Sequence, residues 1–241
     1  MYNEFSNVYD RLVFDIDYEN YSEIIKQNVD FKENMSILEI GIGTGNMTKY
    51  FIENSKEYFG LDPSVEMLEI ASNKLIEYSN VKFLNIGIED IESKDYFDFA
   101  FSTLDTINYL KDFETVKKSF KNTYNSLKSG SYFSFDINSL YKIENVLGNN
   151  SYVYEYENIF YTWQNEYDYE SKEVDMTLDF FVKEDGRYNR ITEYQHQKYY
   201  SPEILKEMLA EIGFKNIIIK DFDTGEEIEE FTQRILIVCL K

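Results

Sequence analysis

Three glycines at alternate positions, Gly41, Gly43 and Gly45, follow the apolar run Ile37-Leu38-Glu39-Ile40 and precede Asn46-Met47-Thr48-Lys49-Tyr50-Phe51, which reads as the start of a helix. A strand that turns through glycine into a helix N-terminus points to an α/β nucleotide-binding arrangement. Glycine reaches positive φ without Cβ strain and lets a ligand approach the backbone closely. The spacing narrows the ligand further. A dinucleotide fingerprint, G-x-G-x-x-G, seats a pyrophosphate on the N–H groups that open the helix. Here the third glycine comes one residue early, and Asn46 stands where the fingerprint has its last glycine. Glu39 would repel a pyrophosphate and attract a ligand carrying positive charge. The competing reading is a glycine-rich turn that only punctuates the chain.

The rest of the chain supplies partners for such a strand. Residues 5–27 read as a helical lead-in with aromatics at helical spacing. Apolar strands are predicted at 57–62, 81–86, 97–102 and 131–138, with a helix over 113–127 that Lys128-Ser129-Gly130 would cap. Asp62 lies about 20 residues beyond the first glycines, where such folds place the carboxylate that accepts from ribose hydroxyls; it would serve equally as a helix cap. Leu104 and Asp105 follow the fourth strand, at the end of a parallel sheet where ligands sit. Ser201-Pro202 opens a later helix, with Ser as N-cap and Pro at the first position, and 214–222 and 234–240 read as two closing strands.

Between Tyr141 and Tyr199 the texture changes. Aromatic and β-branched residues alternate with polar ones over 151–156, 159–168, 173–183 and 187–197, and Lys183-Glu184-Asp185-Gly186-Arg187 carries a hairpin signal. This predicts an antiparallel sheet inserted into an α/β domain: residues 1–140 and 199–241 as the core, and 141–198 as a β-rich subdomain. An aromatic sheet of this kind either covers a site or forms a dimer contact, so both monomer and homodimer are open.

Charge and composition remove several classes. The net charge of −21 repels nucleic-acid phosphates, and no Lys/Arg cluster offsets it, so nucleic acid is not expected as a partner. With one Cys and one His, neither an internal disulfide nor a Cys/His zinc site can be built. Cys239 reads as a buried strand residue. No apolar run approaches membrane-spanning length and the N-terminus lacks a signal-like pattern, so a cytoplasmic protein without membrane association is expected.

The pattern Glu39-x-Gly41-x-Gly43-x-Gly45 resembles the first motif of the class I S-adenosylmethionine-dependent methyltransferases. Three further stretches strengthen the likeness: Asp62-Pro63-Ser64-Val65-Glu66-Met67-Leu68, Tyr9-Asp10 in the lead-in, and Leu127-Lys128-Ser129-Gly130 with Phe135-Asp136-Ile137-Asn138. The resemblance covers most of 5–138. It implies a Rossmann-like seven-stranded sheet with its last strand antiparallel, S-adenosylmethionine as cofactor, and methyl transfer by in-line displacement. It also implies cofactor contacts by Tyr9, Glu39, Gly41, Gly43, Gly45 and Asp62, with Leu104 and Asp105 as candidates to flank the transfer point. Tyr9 has packing as its alternative role.

Family members often carry Asp where Gly87 stands, to accept from the adenine amino group. In its absence the backbone of Ile88, with Glu89 or Asp90, is the candidate adenine contact, and a solvated turn is the alternative. The Asn/Asp-Pro-Pro-aromatic run of amino-methylating enzymes acting on nucleic acid or glutamine is absent after the fourth strand. So is the nucleophilic cysteine of cytosine C5 enzymes. Both absences favour a small-molecule acceptor. In the similar glycine-type and amino-sugar N-methyltransferases an insertion after the fifth strand covers the active site, as 141–198 would here.

Those relatives tend to carry Glu-x-His in the last insertion strand, so their histidine corresponds to Gln195. His196, the sole histidine, would then face the other side of the strand. His196 and Glu193 are the candidate proton acceptors, with an ordinary strand histidine and a substrate-binding acid as the respective alternatives. Other functions consistent with the motifs are a cofactor-binding relative with different chemistry, such as carboxymethyl-donor synthesis, and a non-catalytic binding module. The first would want an arginine for the added carboxylate, and none sits in these motifs.

Overall fold

The computed structural model describes residues 5–13 and 15–241. Two sheets form the molecule. The larger contains β1 (Met35–Ile40), β2 (Ser55–Leu61), β3 (Val81–Leu84), β4 (Phe97–Ser102), β5 (Leu127–Asn138), β10 (Lys215–Asp221) and β11 (Arg234–Leu240), in the order β10-β11-β5-β4-β1-β2-β3. The smaller joins β6 (Ser151–Tyr156), β7 (Ile159–Asp168), β8 (Glu173–Glu184) and β9 (Arg187–Lys198) as an antiparallel meander. Strands β1 to β5 pair in parallel, and β11 runs antiparallel to both neighbours. This is the seven-stranded α/β sheet with an antiparallel last strand that the sequence resemblance implies, with a separate four-stranded sheet beside it.

Parallel strands covered on both faces need continuous apolar runs, and β1 shows why. Leu38 and Ile40 face a core shared with α5 (Phe113–Ser126) and α6 (Pro202–Ile212), while Ile37 faces the opposite core with Ile25, Phe51 and Phe99. The small sheet buries one face only, so its strands alternate. Val174, Met176, Leu178, Phe180 and Val182 of β8 are buried in succession, and this face packs on Val8 of α1 (Phe5–Leu12) and Met67 of α4 (Val65–Lys74). The β8–β9 turn takes positive φ at Asp185 and Gly186, +48° and +79°, as a tight hairpin requires.

Several local expectations are corrected. The helical lead-in is two helices, α1 and α2 (Tyr18–Gln27), the second capped by Asp17, which accepts from Asn20 N–H. The helix after the glycines is only α3 (Lys49–Ile52), starting beyond Asn46, and Thr48 at its N-cap position turns its hydroxyl inward to Glu39 instead of capping it. Helix α5 passes directly into β5. Gly130, at φ +81°, therefore lies in an irregular stretch of that strand instead of capping the helix. Ser201 stands at the N-cap position of α6 without a side-chain capping bond, its hydroxyl taken by Glu203. Among the described residues no helix is long and apolar enough to cross a membrane.

The order of the large sheet sets the position of the site. The chain progresses outward to β2 and β3 on one side of β1 and to β4 and β5 on the other, so a crevice opens beyond the C-terminal ends of β1 and β4. The loops leaving those ends are the glycine turn and Thr103-Leu104-Asp105.

Candidate active site

A cavity of about 220 Å³ occupies this crevice. Glu39, at the end of β1, is buried and accepts hydrogen bonds from Thr48 Oγ1 (2.6 Å) and Tyr58 OH (2.5 Å) on the same Oε2. Burial pushes its carboxyl up to about 7 in spite of these two bonds. Asp62, just beyond β2, accepts from Gly43 N–H through Oδ2 and from Ser64 N–H through Oδ1, both at 2.9 Å. It thereby braces the glycine turn and the start of α4 together. Burial raises its pKa, and the two backbone bonds only partly offset this.

Asp10 fastens α1 over the turn, accepting from Thr44 Oγ1 (2.6 Å), Asn46 Nδ2 (3.0 Å) and Lys74 Nζ (2.8 Å). Burial opposes its ionisation, yet Lys74 and the other donors outweigh burial and hold its pKa below the usual carboxylate value.

Of the residues expected at the cofactor, Tyr9, Glu39, Gly41, Gly43, Asp62 and Leu104 line this cavity. Three do not. Gly45 turns toward α4, where a Cβ would meet Leu75 and Ala71. Ile88 is buried in the main core, and Glu89 folds its carboxylate back over Gly87. Residues the sequence did not single out complete the wall, among them Tyr18, Asn46, Met67, Thr106 and Tyr109. Among the described residues, those lining the cavity include two carboxylates and neither lysine nor arginine. That donor set fits a phosphate-free nucleoside with a cationic end and suits a pyrophosphate poorly.

A second cavity, about 250 Å³, lies between the two sheets. Tyr161, Trp163, Met176 and Leu178 of the small sheet wall one side, and Asp105, Asn138, Lys142 and Arg234 the other. Tyr9, Leu104, Tyr109 and Gln195 line both cavities, and Tyr109 OH donates to Gln195 Oε1 at 3.1 Å.

Beneath this junction Arg234 donates to Asp105 Oδ1 (2.8 Å) and to Asp136, while Gln197 Nε2 donates to Asp105 Oδ2 (2.6 Å) and Asn138 Nδ2 to Gln197 Oε1 (2.8 Å). Burial works against the charge of Asp105, but Arg234 prevails and its pKa is lowered; at Asp136 burial prevails and its pKa is raised. The loop so held is strained: Leu104 and Asp105 take φ of +56° and +55°. Arg234 could have been noticed as the lone charge opening an apolar final strand. Lys142 gave no signal beyond its place after β5.

The two candidate proton acceptors are not brought to this junction. His196 lies on the opposite face of β9 from Gln195, with Nδ1 2.8 Å from Asp175 Oδ1, and lines neither cavity. The strand parity read from the sequence is the one observed, and it leaves His196 on the side away from the junction. Glu193 shares the face of Gln195 and is buried, and burial pushes it up to about 7, but it too is outside both linings.

Glu39 and Glu193 each favour the proton when folded. Between about pH 4.5 and 7 the folded state therefore holds more protons than the unfolded chain, and stability falls as pH rises through that window. Glu39→Gln, whose amide oxygen can accept both hydroxyl bonds, is expected to stabilise the protein above pH 7 by on the order of 2 kcal/mol. Thermal denaturation at pH 8 measures it, and an unchanged or lower Tm would show that the buried carboxylate carries no such cost.

A family model described as a methyltransferase domain matches residues 37–130, the stretch from β1 to the start of β5. YqeM of Bacillus subtilis (strain 168), which carries a methyltransferase name, is 30% identical over 228 residues, covering 94% of this chain and 92% of the relative. The crystal structure of an S-adenosylmethionine-dependent methyltransferase from Clostridium acetobutylicum superposes with a TM-score of 0.87 at 33% identity, over 99% of this chain and 98% of that one. The sugar N-methyltransferase KedS8 from Streptoalloteichus shares the fold, with a TM-score of 0.73 at 16% identity over 95% and 87% of the two chains. The chain belongs to the class I S-adenosylmethionine-dependent methyltransferases, and S-adenosylmethionine is its cofactor.

Proposed function

We propose that the protein transfers a methyl group from S-adenosylmethionine to nitrogen or oxygen of a small molecule held in the second cavity. Residues 141–198 would form an inserted subdomain that covers the acceptor. The observation that carries this reading is the junction: Tyr9, Leu104, Tyr109 and Gln195 line both cavities, so two ligands placed in them meet there.

S-adenosylmethionine, when bound, supplies a methyl group on a positively charged sulfur that is a good leaving group. The chain's own residues have the task of alignment and exclusion of water. Glu39 sits where the cationic amino-acid end would be received, and Asp62 where ribose hydroxyls would donate. Gly43 would let the nucleoside lie against backbone, and Tyr9 and Leu104 would flank the methyl. Tyr161 and Trp163 close the acceptor side. A hydroxyl acceptor needs a proton acceptor, whereas an amine needs only to arrive unprotonated. The four shared residues offer no stronger base than a phenol, which favours nitrogen.

Arg234 is the sort of side chain that a carboxymethyl-donor chemistry would want, but Asp105 and Asp136 already engage it. The test is incubation with S-adenosylmethionine and separate panels of amines, alcohols and phenols, read by mass spectrometry. Methylated amines are the expected product, and methylation of protein or nucleic acid in place of any small molecule would overturn the reading. Asp62→Ala is expected to weaken cofactor binding by about 1–3 kcal/mol in calorimetry. An unchanged affinity would leave Asp62 only its bracing role.

A further inference from the structure

The second cavity has two unlike ends. Tyr161, Trp163, Met176 and Leu178 give it an apolar, largely aromatic wall, and Lys142 and Arg234 bring two cations to the other side. These cations are not equivalent. Arg234 has Asp105 and Asp136 as partners. Lys142 belongs to the π-helix Lys142–Leu147, and its backbone N–H is held by Ser139 Oγ at 3.0 Å. Its ammonium has no ion pair or hydrogen bond with the described residues.

Partial burial makes that arrangement costly, since a desolvated ammonium without a partner is unfavourable. It is more unusual still in a chain with 45 acidic residues against 24 basic ones, where a counter-ion would be easy to supply. The nearby acids do not fill the role. Both oxygens of Asp105 already accept, from Arg234 and Gln197; Asp136 accepts twice on Oδ2, from Arg234 and from the backbone N–H of Asp105, while its buried Oδ1 has no hydrogen bond, and neither carboxylate makes an ion pair with Lys142.

We infer that Lys142 is the anchor for a carboxylate on the methyl acceptor, and that the acceptor is a small acid with a flat or apolar body lying against Tyr161 and Trp163. This rests on the reading of the second cavity as the acceptor site. Lys142 lines that cavity only and is absent from the four residues shared with the cofactor cavity. It therefore orients the acceptor without standing at the transfer point. The charge-assisted contact replaces hydration that the ammonium gives up on burial, and it sets specificity for acids over their neutral counterparts.

The experiment is calorimetric titration of the full chain saturated with S-adenosylhomocysteine. The probes are phenylacetate, cinnamate and para-aminobenzoate, each beside its primary amide, with phenethylamine as the cationic counterpart. At least one acid is expected to bind about tenfold or more tightly than its amide. Lys142→Met should abolish that difference while leaving the amide and S-adenosylhomocysteine affinities as they were, and Lys142→Arg should preserve it. Equal binding of acids and amides, tighter binding of phenethylamine, no acid binding at millimolar concentration, or an acid preference that survives in Lys142→Met would each overturn the inference. Failure of S-adenosylhomocysteine itself to bind would instead strike the reading of the site on which it rests.

Discussion

Arg234→Met is expected to destabilise the folded protein by about 3–5 kcal/mol at neutral pH, because removing one member of a buried ionic cluster leaves the others uncompensated. Arg234 is the charge that holds Asp105 and Asp136 together under the junction, where Asp136 is buried and Asp105 mostly so. Methionine fills a similar volume and brings no charge. The pH dependence has a definite sign. In the native protein Arg234 keeps Asp105 ionised below its usual value, a contribution present above that value and lost as pH falls through the lowered one. Without Arg234, burial is opposed only by Lys142 and Gln197 at Asp105 and by one backbone N–H at Asp136, so each acid takes up a proton more readily in the folded state than it does beside Arg234. The penalty should therefore be greatest at neutral pH and shrink as the solution is acidified below about pH 5. Urea denaturation of the two proteins at pH 7.5 and pH 4 measures this, and a pH-independent difference would mean that lost packing outweighs lost charge.

Gly43→Val is expected to lower S-adenosylmethionine affinity by at least about 100-fold while the protein stays folded. Gly43 has φ +54°, and a Cβ built there meets no protein atom within 4 Å. The added side chain would project into the cofactor cavity without a clash against the fold. A β-branched residue at that φ costs about 1–2 kcal/mol of stability, which a seven-stranded domain should tolerate. Gly41 is a different case. A Cβ there lies 2.6 Å from Thr106, so a substitution would disturb the loop after β4 and mix structural with binding effects. Calorimetry with thermal denaturation separates the two for Gly43, and retained affinity would show that the nucleoside does not lie against that backbone.

Much of the fold was legible because the informative patterns are local. Strands β6 and β7 begin and end where the alternation of aromatic and polar residues does, since a sheet with one buried face has period two. The same parity argument separated His196 from Gln195 before any coordinates, and the pairing of His196 with Asp175 agrees with it. The glycine turn was readable as a ligand loop, although spacing alone did not tell which glycine faces the ligand and which packs on α4, as Gly45 does.

What escaped the sequence was assembled over long range. Asp105 and Arg234 are 129 positions apart, and Asn138 and Gln197 are 59 apart. No local rule joins such pairs. Nor is positive φ foreseeable at Leu104 and Asp105, which are not glycine and hold that conformation with the help of bonds from β9 and β11. The adenine contacts were carried to Ile88 and Glu89 by position in the motif. The Ile88 side chain packs in the core and Glu89 turns back toward Gly87, which leaves the backbone N–H of Ile88 as the candidate contact at this turn.

We propose that the cavity between β1 and β4 receives S-adenosylmethionine and that the four residues it shares with the second cavity form the transfer point. Calorimetric titration with S-adenosylmethionine, S-adenosylhomocysteine and NAD tests it most directly, in the native protein and in Gly43→Val. Binding of the two sulfur nucleosides by the native protein alone, with no response to NAD in either, is expected. Binding of NAD, or equal binding of the sulfur nucleosides by Gly43→Val, would contradict it.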